Sequence, residues 1–268
     1  MSDNEPLGAA SSNRFPVIRQ VETRAVVGWL RAGWHDLRQG GSASLFYGLC
    51  FALAGWLMQV VFAEAYALFA GLTTGFLLLG PFLTMGLYDL SRRIEFGTPP
   101  RLVPTLAAWR SNLANVGVFA ALLTVVLLVW ARASMIVFAL FFTGGLPTFG
   151  NVVHTVLTFE QPDFALVYFA VGGFFAAFVF AISVIAVPLM LDRRTDAVTA
   201  TIASVVACSR NPGPMLLWAA CIAVLAGIGF ATFFVGLIVT MPLVGHTTWH
   251  AYRDVVAPEE PQDAAATR

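Results

Sequence analysis

The sequence predicts an all-α fold: a polytopic membrane helical bundle of six transmembrane helices in three hairpins, with interfacial amphipathic helices on the cytoplasmic side. Three observations predict it. Hydrophobic residues make up 58% of the chain and charged residues 11%, against roughly 45–50% and about 25% in soluble domains. Several runs reach the ~20 apolar residues that cross a ~30 Å hydrocarbon core as a helix. The 15 basic residues are all arginine, and they gather between those runs rather than scattering along the chain.

The elements follow in order. Residues 1–21, opening MSDNEPLGAASSNRFP, are polar and lack the basic-then-apolar order of a cleavable signal. They read as a disordered cytoplasmic tail. A single membrane domain covers 22–256, and 257–268 form a second disordered cytoplasmic tail. In ETRAVVGWLRAGWHDLRQ, residues 22–39, Val27, Leu30, Trp34 and Leu37 recur at helical spacing, with Arg24, Arg31, His35 and Arg38 on another face and Gly40-Gly41 as a stop. That pattern is an interfacial amphipathic helix. Spans are expected at about 44–64, 67–88, 112–131, 165–191, 212–230 and 232–250. The last two come from one apolar stretch, divided near Gly227 and Gly229 because it is too long for one crossing and nearly right for two. Between the third and fourth spans, residues 132–163 hold only a short apolar core, Met135–Phe142, before two glycines and Pro147. They read as an in-plane or re-entrant element on the outer side.

Arginine positions orient this arrangement. With the N-terminus inside, every arginine except Arg132 lies in an inner segment. Basic residues resist translocation, so both termini are expected inside, on the cytoplasmic face.

A threefold repeat accompanies the hairpins. Surface helices are expected before each outgoing span: at 22–39, in TLAAWRSNL with Leu106, Trp109 and Leu113, and in AVTATIASVVACSR with Val198, Ile202 and Val205. Each returning span carries a proline (Pro81, Pro188, Pro242) and exits through Asp beside Arg, in YDLSRR, LDRRTD and AYRD. GLTTG at 71–75 offers a small-xxx-small face for helix packing.

AGWHDLRQGG before the first span, VPLMLDRR after the fourth and PLVGHTTWHAYRDVV at the end resemble the domain of unknown function 2189 family of predicted bacterial integral membrane proteins. The likeness runs over roughly residues 25–256, and the closing motif carries most of its specificity. The resemblance implies a six-span inner-membrane protein without an established activity. Some members bear names linking them to cytochrome c oxidase, and no functional residue transfers from them.

The residues argue against redox chemistry. A haem-copper core needs several mid-membrane imidazoles, and the chain has four histidines in all. Only His246 and His250 stand together, four apart where the last span exits beside Trp249, Tyr252 and Arg253. They are the sole candidates for a metal, with Asp89 and Asp192 as further ligands, and an anchoring and packing role suits them better. No cofactor is expected. Cys50, Cys208 and Cys221 form no framework. Nucleophile-elbow, zinc-protease and phosphate-loop motifs are missing, so the chain reads as a non-enzyme. The spans hold almost no ionisable group, which removes buried-carboxylate ion coupling.

The densest polar feature is a cytoplasmic ring of Asp89, Arg92, Arg93, Asp192, Arg193, Arg194, His246, His250, Arg253 and Asp254. It would suit anionic ligands or lipid headgroups, or serve only as positive-inside arginines neutralised by neighbouring aspartates. Two functions fit: a non-enzymatic accessory, assembly or scaffold component of another membrane complex, or a carrier or channel-like protein for a small amphiphile or lipid. The expected partners are membrane lipids and another membrane protein complex; nucleic acid is not among them.

Overall fold

The computed structural model describes residues 15–64, 83–142 and 160–258. The expected span at 67–88, Pro81 and the GLTTG face lie partly or wholly outside that set. Among the described residues the regular structure is helical apart from one antiparallel bridge, Ile18 to Val256. Four helical stretches are long and apolar enough to cross a membrane: Ala25–Val60, Leu102–Phe141, Pro162–Arg193 and Pro212–Ala231.

Helix α1 (Ala25–Glu64) corrects the first expectation. Gly40-Gly41 does not stop the surface helix; the chain kinks at Gly41 (φ 49°, ψ −123°) and runs on. Glycine adopts that backbone without a Cβ penalty, so the pair bends one long helix where two were expected. Its buried face is also not the expected one. Val27 and Trp34 are exposed, whereas Val26, Trp29, Gly33, Asp36, Leu37, Gly40 and Ser44 turn inward. They pack along α8 (Leu237–Val255).

The approach there is close because glycines recur every seven or eight residues. A Cβ at Gly33 would lie 2.7 Å from the Thr247 backbone nitrogen, one at Gly48 2.0 Å from the Ile238 carbonyl oxygen, and one at Gly55 2.5 Å from the Phe234 ring. Helix α2, residues 83–95, lies against the same two helices: Tyr47 abuts Gly86, and Leu87 abuts Gly245. Tyr47, Leu87 and Leu90 are buried between them.

The next segment departs further from expectation. TLAAWRSNL, residues 105–113, begins on the last residue of a single helical turn, Leu102–Thr105, and runs through a 3₁₀ turn, Ala108–Asn112. Leu106 and Leu113 are about half exposed, so no continuous amphipathic helix forms. Helix α3 (Leu113–Phe141) then passes straight through Arg132, its 29 residues spanning about 43 Å. The in-plane reading fails for residues 132–141, because Ala131 to Ser134 contain no helix breaker and the sequence offers none before Gly144-Gly145. Residues 143–159 lie outside the described set. Helix α4 (Pro162–Ser183) starts with Pro at its first turn and Asp163 beside it, as the free N–H groups and positive helix end favour. Phe164 and Tyr168 stack on Phe138, and Phe164 also meets Phe141 and Phe142, locking α3 to α4.

The chain breaks at Val184-Ile185 and resumes as α5 (Ala186–Arg193). Pro188 therefore stands in the first turn of α5, where its missing N–H costs little, and the break lies three to four residues before it, where a proline interrupts a helix. The amide freed at Ile185 donates to Ser204 Oγ at 3.1 Å. Helix α6 (Ala197–Arg210) buries Ala197, Ala200, Ala203, Ser204 and Ala207. The expected contact stripe is reversed, with Val198 66% exposed and Ile202 50%. Small side chains permit the closer approach, and the branched ones are left outside.

Asp196 caps α6, accepting the Thr199 amide at 2.9 Å. That bond holds its carboxyl below the usual range. A depressed carboxyl contributes stability above its unfolded value and loses it as pH falls through the folded one. Asp196→Asn should keep the cap and lose the acid sensitivity, while Asp196→Ala should cost about 1 kcal/mol of local helix stability. Amide exchange at Thr199 across pH 3 to 6, corrected for intrinsic rates, separates the three proteins.

Helix α7 (Pro212–Ala231) and α8 form the last hairpin. The division falls at 232–236, not at Gly227 or Gly229. Thr232 Oγ1 accepts the Gly236 amide at 2.8 Å, and Phe233 and Phe234 take positive φ of 52° and 68°. Gly229 serves packing, since a Cβ there would meet Leu237. Pro242 lies inside α8. Finally, the chain ends clasp each other. Arg19 N donates to Val255 O at 2.7 Å and Ala257 N to Val17 O at 2.9 Å. Asn211 ties this clasp to α7, accepting the Val21 amide at 2.8 Å and donating to Arg19 O at 3.0 Å.

Candidate functional site

At the clasped end of the bundle, α1, α2 and α8 enclose a polar chain. His246 is fully buried, with Nδ1 2.7 Å from Ser91 Oγ and Nε2 2.8 Å from Ser44 Oγ. Ser91 also bonds Asp36, which is 3% exposed and lies 2.8 Å from His250 Nε2. A carboxylate only accepts, so the Ser91 hydroxyl donates to Asp36 and its oxygen accepts from His246 Nδ1–H. Ser44 then donates to Nε2, and the imidazole is neutral with both nitrogens engaged.

The two metal candidates have different surroundings. His246 and His250 are successive on α8, yet one ring is spanned by two serines and the other holds a carboxylate. Among the described residues no three His, Cys, Asp or Glu side chains group to hold a metal ion. Binding one at His246 would first break two hydrogen bonds inside the bundle.

Around this chain the arginine ring does assemble, in two parts. Asp89, 1% exposed, pairs with Arg92 and Arg93 on its own helix, each at 2.8 Å. Asp192, from α5, accepts the Tyr252 hydroxyl at 2.6 Å and lies 3.5 Å from Arg253. Burial first, and then the neighbouring Asp192, pushes the Tyr252 hydroxyl up, so it remains a donor. Arg253 is held mainly by Glu95 at 2.8 Å, and Trp249 Nε1 donates to the same carboxylate at 3.0 Å. Arg193 donates to the Ala257 carbonyl. Asp254 leaves the ring and accepts Trp29 Nε1 at 2.9 Å. Arg194, at the left-handed C-cap of α5, is exposed.

Sequence reasoning missed Asp36, Ser44, Ser91 and Glu95. One signal was present for Asp36. It falls in register with Val26, Trp29, Gly33 and Gly40, whereas the other charges of that helix occupy the opposite face, so a lone carboxylate on a small and apolar stripe was asking for a buried partner.

Between the two parts of the ring lies a cavity of about 270 Å³, lined by Arg92, Arg93, Phe96, Thr98 and Asp192. The turn after α2 builds its rim: Gly97 takes φ 66°, and Thr98 donates through N and Oγ1 to the Arg93 carbonyl, a helix C-cap that carries Phe96 outward.

Residues 68–192 match the model of a family described as predicted integral membrane protein, DUF2189. The resemblance read from the sequence is thus supported over those residues, while the closing PLVGHTTWHAYRDVV motif lies beyond them. No curated protein and no solved structure matches the chain.

Proposed function

We propose that this protein is a six-span component of a bacterial inner membrane, both termini cytoplasmic, that acts by contact as an accessory, assembly or scaffold subunit rather than as a carrier. The observation that carries the reading is the closed interior. The α1–α8 seam brings glycines against backbone, and Trp218, Trp249, Tyr252, Phe119 and Phe164 are fully buried. A carrier for an amphiphile needs room between its helices, and along this seam there is none.

The clasp of residues 17–19 with 255–257 supports an even number of crossings, because it puts the two chain ends on one side. Six meets that condition: four apolar stretches, the 67–88 run, and α8. The arginines at the clasped end support placing it in the cytoplasm.

Purification from native membranes in nanodiscs, with cross-linking and mass spectrometry of the intact assembly, tests the role. A stoichiometric partner cross-linked to outward residues of α3 or α6 is expected. A chain that emerges alone, and that moves an amphiphile across vesicles, would sink the accessory reading.

A further inference from the structure

We infer that the cavity between Arg92, Arg93 and Asp192 is a binding site for a phosphate ester, carried by an anionic phospholipid headgroup at the membrane border. The inference is independent of the accessory role.

The donor inventory comes first. Asp89 takes one contact from each of Arg92 and Arg93. A guanidinium has five N–H donors in a fixed fork, so both side chains line the cavity with most of their donors unspent. Two adjacent forks suit a group with several strong acceptor oxygens, and bidentate arginine–phosphate pairs are among the stronger hydrogen bonds.

The acids at the cavity are committed to its walls: Asp89 to its own helix, Asp192 to the Tyr252 hydroxyl and Arg253, and Glu95 to Trp249 and Arg253. Their charge is met by Arg92, Arg93 and Arg253, so none of the three is left facing the cavity uncommitted.

The rim selects the source of the phosphate. Phe96, in the cavity lining, is 65% exposed. An arginine-lined cavity with an apolar lip matches an amphiphile, which puts its phosphate inside and its glycerol and first methylenes on the lip. A soluble phosphate ester would use the arginines alone.

The competing Asp89 makes the site testable in both directions. Full-length protein is transferred from phosphatidylcholine vesicles containing phosphatidylglycerol to native mass spectrometry, and retained lipids are counted. Arg92→Gln/Arg93→Gln should lower phosphatidylglycerol retention about tenfold. Asp89→Asn frees both guanidiniums and should raise it, even if that variant is less stable. Arg101→Gln, an exposed arginine outside the cavity, should change nothing. A folded double glutamine variant that retains lipid as the parent does would overturn the site, and so would an equal loss in Arg101→Gln, which would reveal diffuse headgroup attraction. Titration of the protein in pure phosphatidylcholine nanodiscs with glycerol 1-phosphate assigns the source: weak binding keeps the lipid, and binding as tight as the lipid's would overturn the headgroup assignment.

Discussion

Gly48→Ala should cost about 3 kcal/mol or more, the upper range for overpacking, and leave little monodisperse protein after mild heating in detergent. The added Cβ would sit 2.0 Å from the Ile238 carbonyl oxygen. That atom is backbone, so α1 and α8 would have to separate along their length. Gly28, in the same helix, is the control: no atom lies within 4 Å of its Cβ position. Gly28→Ala should therefore be neutral or stabilise by about 0.5–1 kcal/mol through helix propensity. Gly33→Ala should resemble Gly48→Ala, because Thr247 N and Cα would lie 2.7 and 2.9 Å away. Thermal midpoints by fluorescence size-exclusion separate these cases. Equal midpoints for Gly28→Ala and Gly48→Ala would mean that the seam is not closed.

That seam shows how far the sequence could be read. Composition sufficed for the helical membrane class, because 58% apolar residues cannot be kept out of water by a chain of this size any other way. The last hairpin was divided within a few residues of its turn, since span length leaves little freedom. The kinked α1 was misread because Gly-Gly after a polar helix looks the same whether the chain stops or bends; what decides it is α8 lying alongside, and that is a tertiary fact. The expected stripes on α1 and α6 failed for a related reason. Hydrophobic periodicity finds the face that avoids water, but beside a membrane both faces avoid water, and small residues mark the protein contact. Arg132 was taken as the end of a span because charge is costly in lipid, yet no breaker accompanied it and the helix continued.

The candidate site was half legible. Asp/Arg exits at three places announced the ring; Asp89 pairs with Arg92 and Arg93 and Asp192 lies beside Arg253, whereas Asp254 turns to Trp29. The pairings within it were not readable: Glu95 and Tyr252 hold Arg253 and Asp192 through contacts that join α2, α5 and α8. Neither was singled out as a ring member, because nothing local distinguishes a tyrosine that anchors at headgroup level from one that neutralises a distant carboxylate.

His246→Leu should be the most damaging change at the closing motif. Leucine approximates the volume and removes a buried polar ring, which alone would be tolerated. It also strands Ser44 Oγ, on a fully buried residue, while Ser91 Oγ keeps Asp36 as its acceptor, and an unpaired buried hydroxyl costs roughly 1–3 kcal/mol. That is a large share of the stability of a marginal domain. Replacing the Ser44 hydroxyl as well should recover much of the loss, because removing both partners of a buried hydrogen bond is far cheaper than removing one. Ser44→Ala/His246→Leu is therefore expected to be more stable than His246→Leu alone. Ser91→Ala carries an added cost, since Asp36 loses a donor and retains His250 at 2.8 Å. The double-mutant cycle between Ser44 and His246 isolates the branch that avoids that carboxylate, and a coupling of about 1 kcal/mol or more is expected there. If the double variant falls as low as the single one, Nε2 of the imidazole is holding something other than Ser44, and metal quantification on the parent protein would be the next measurement.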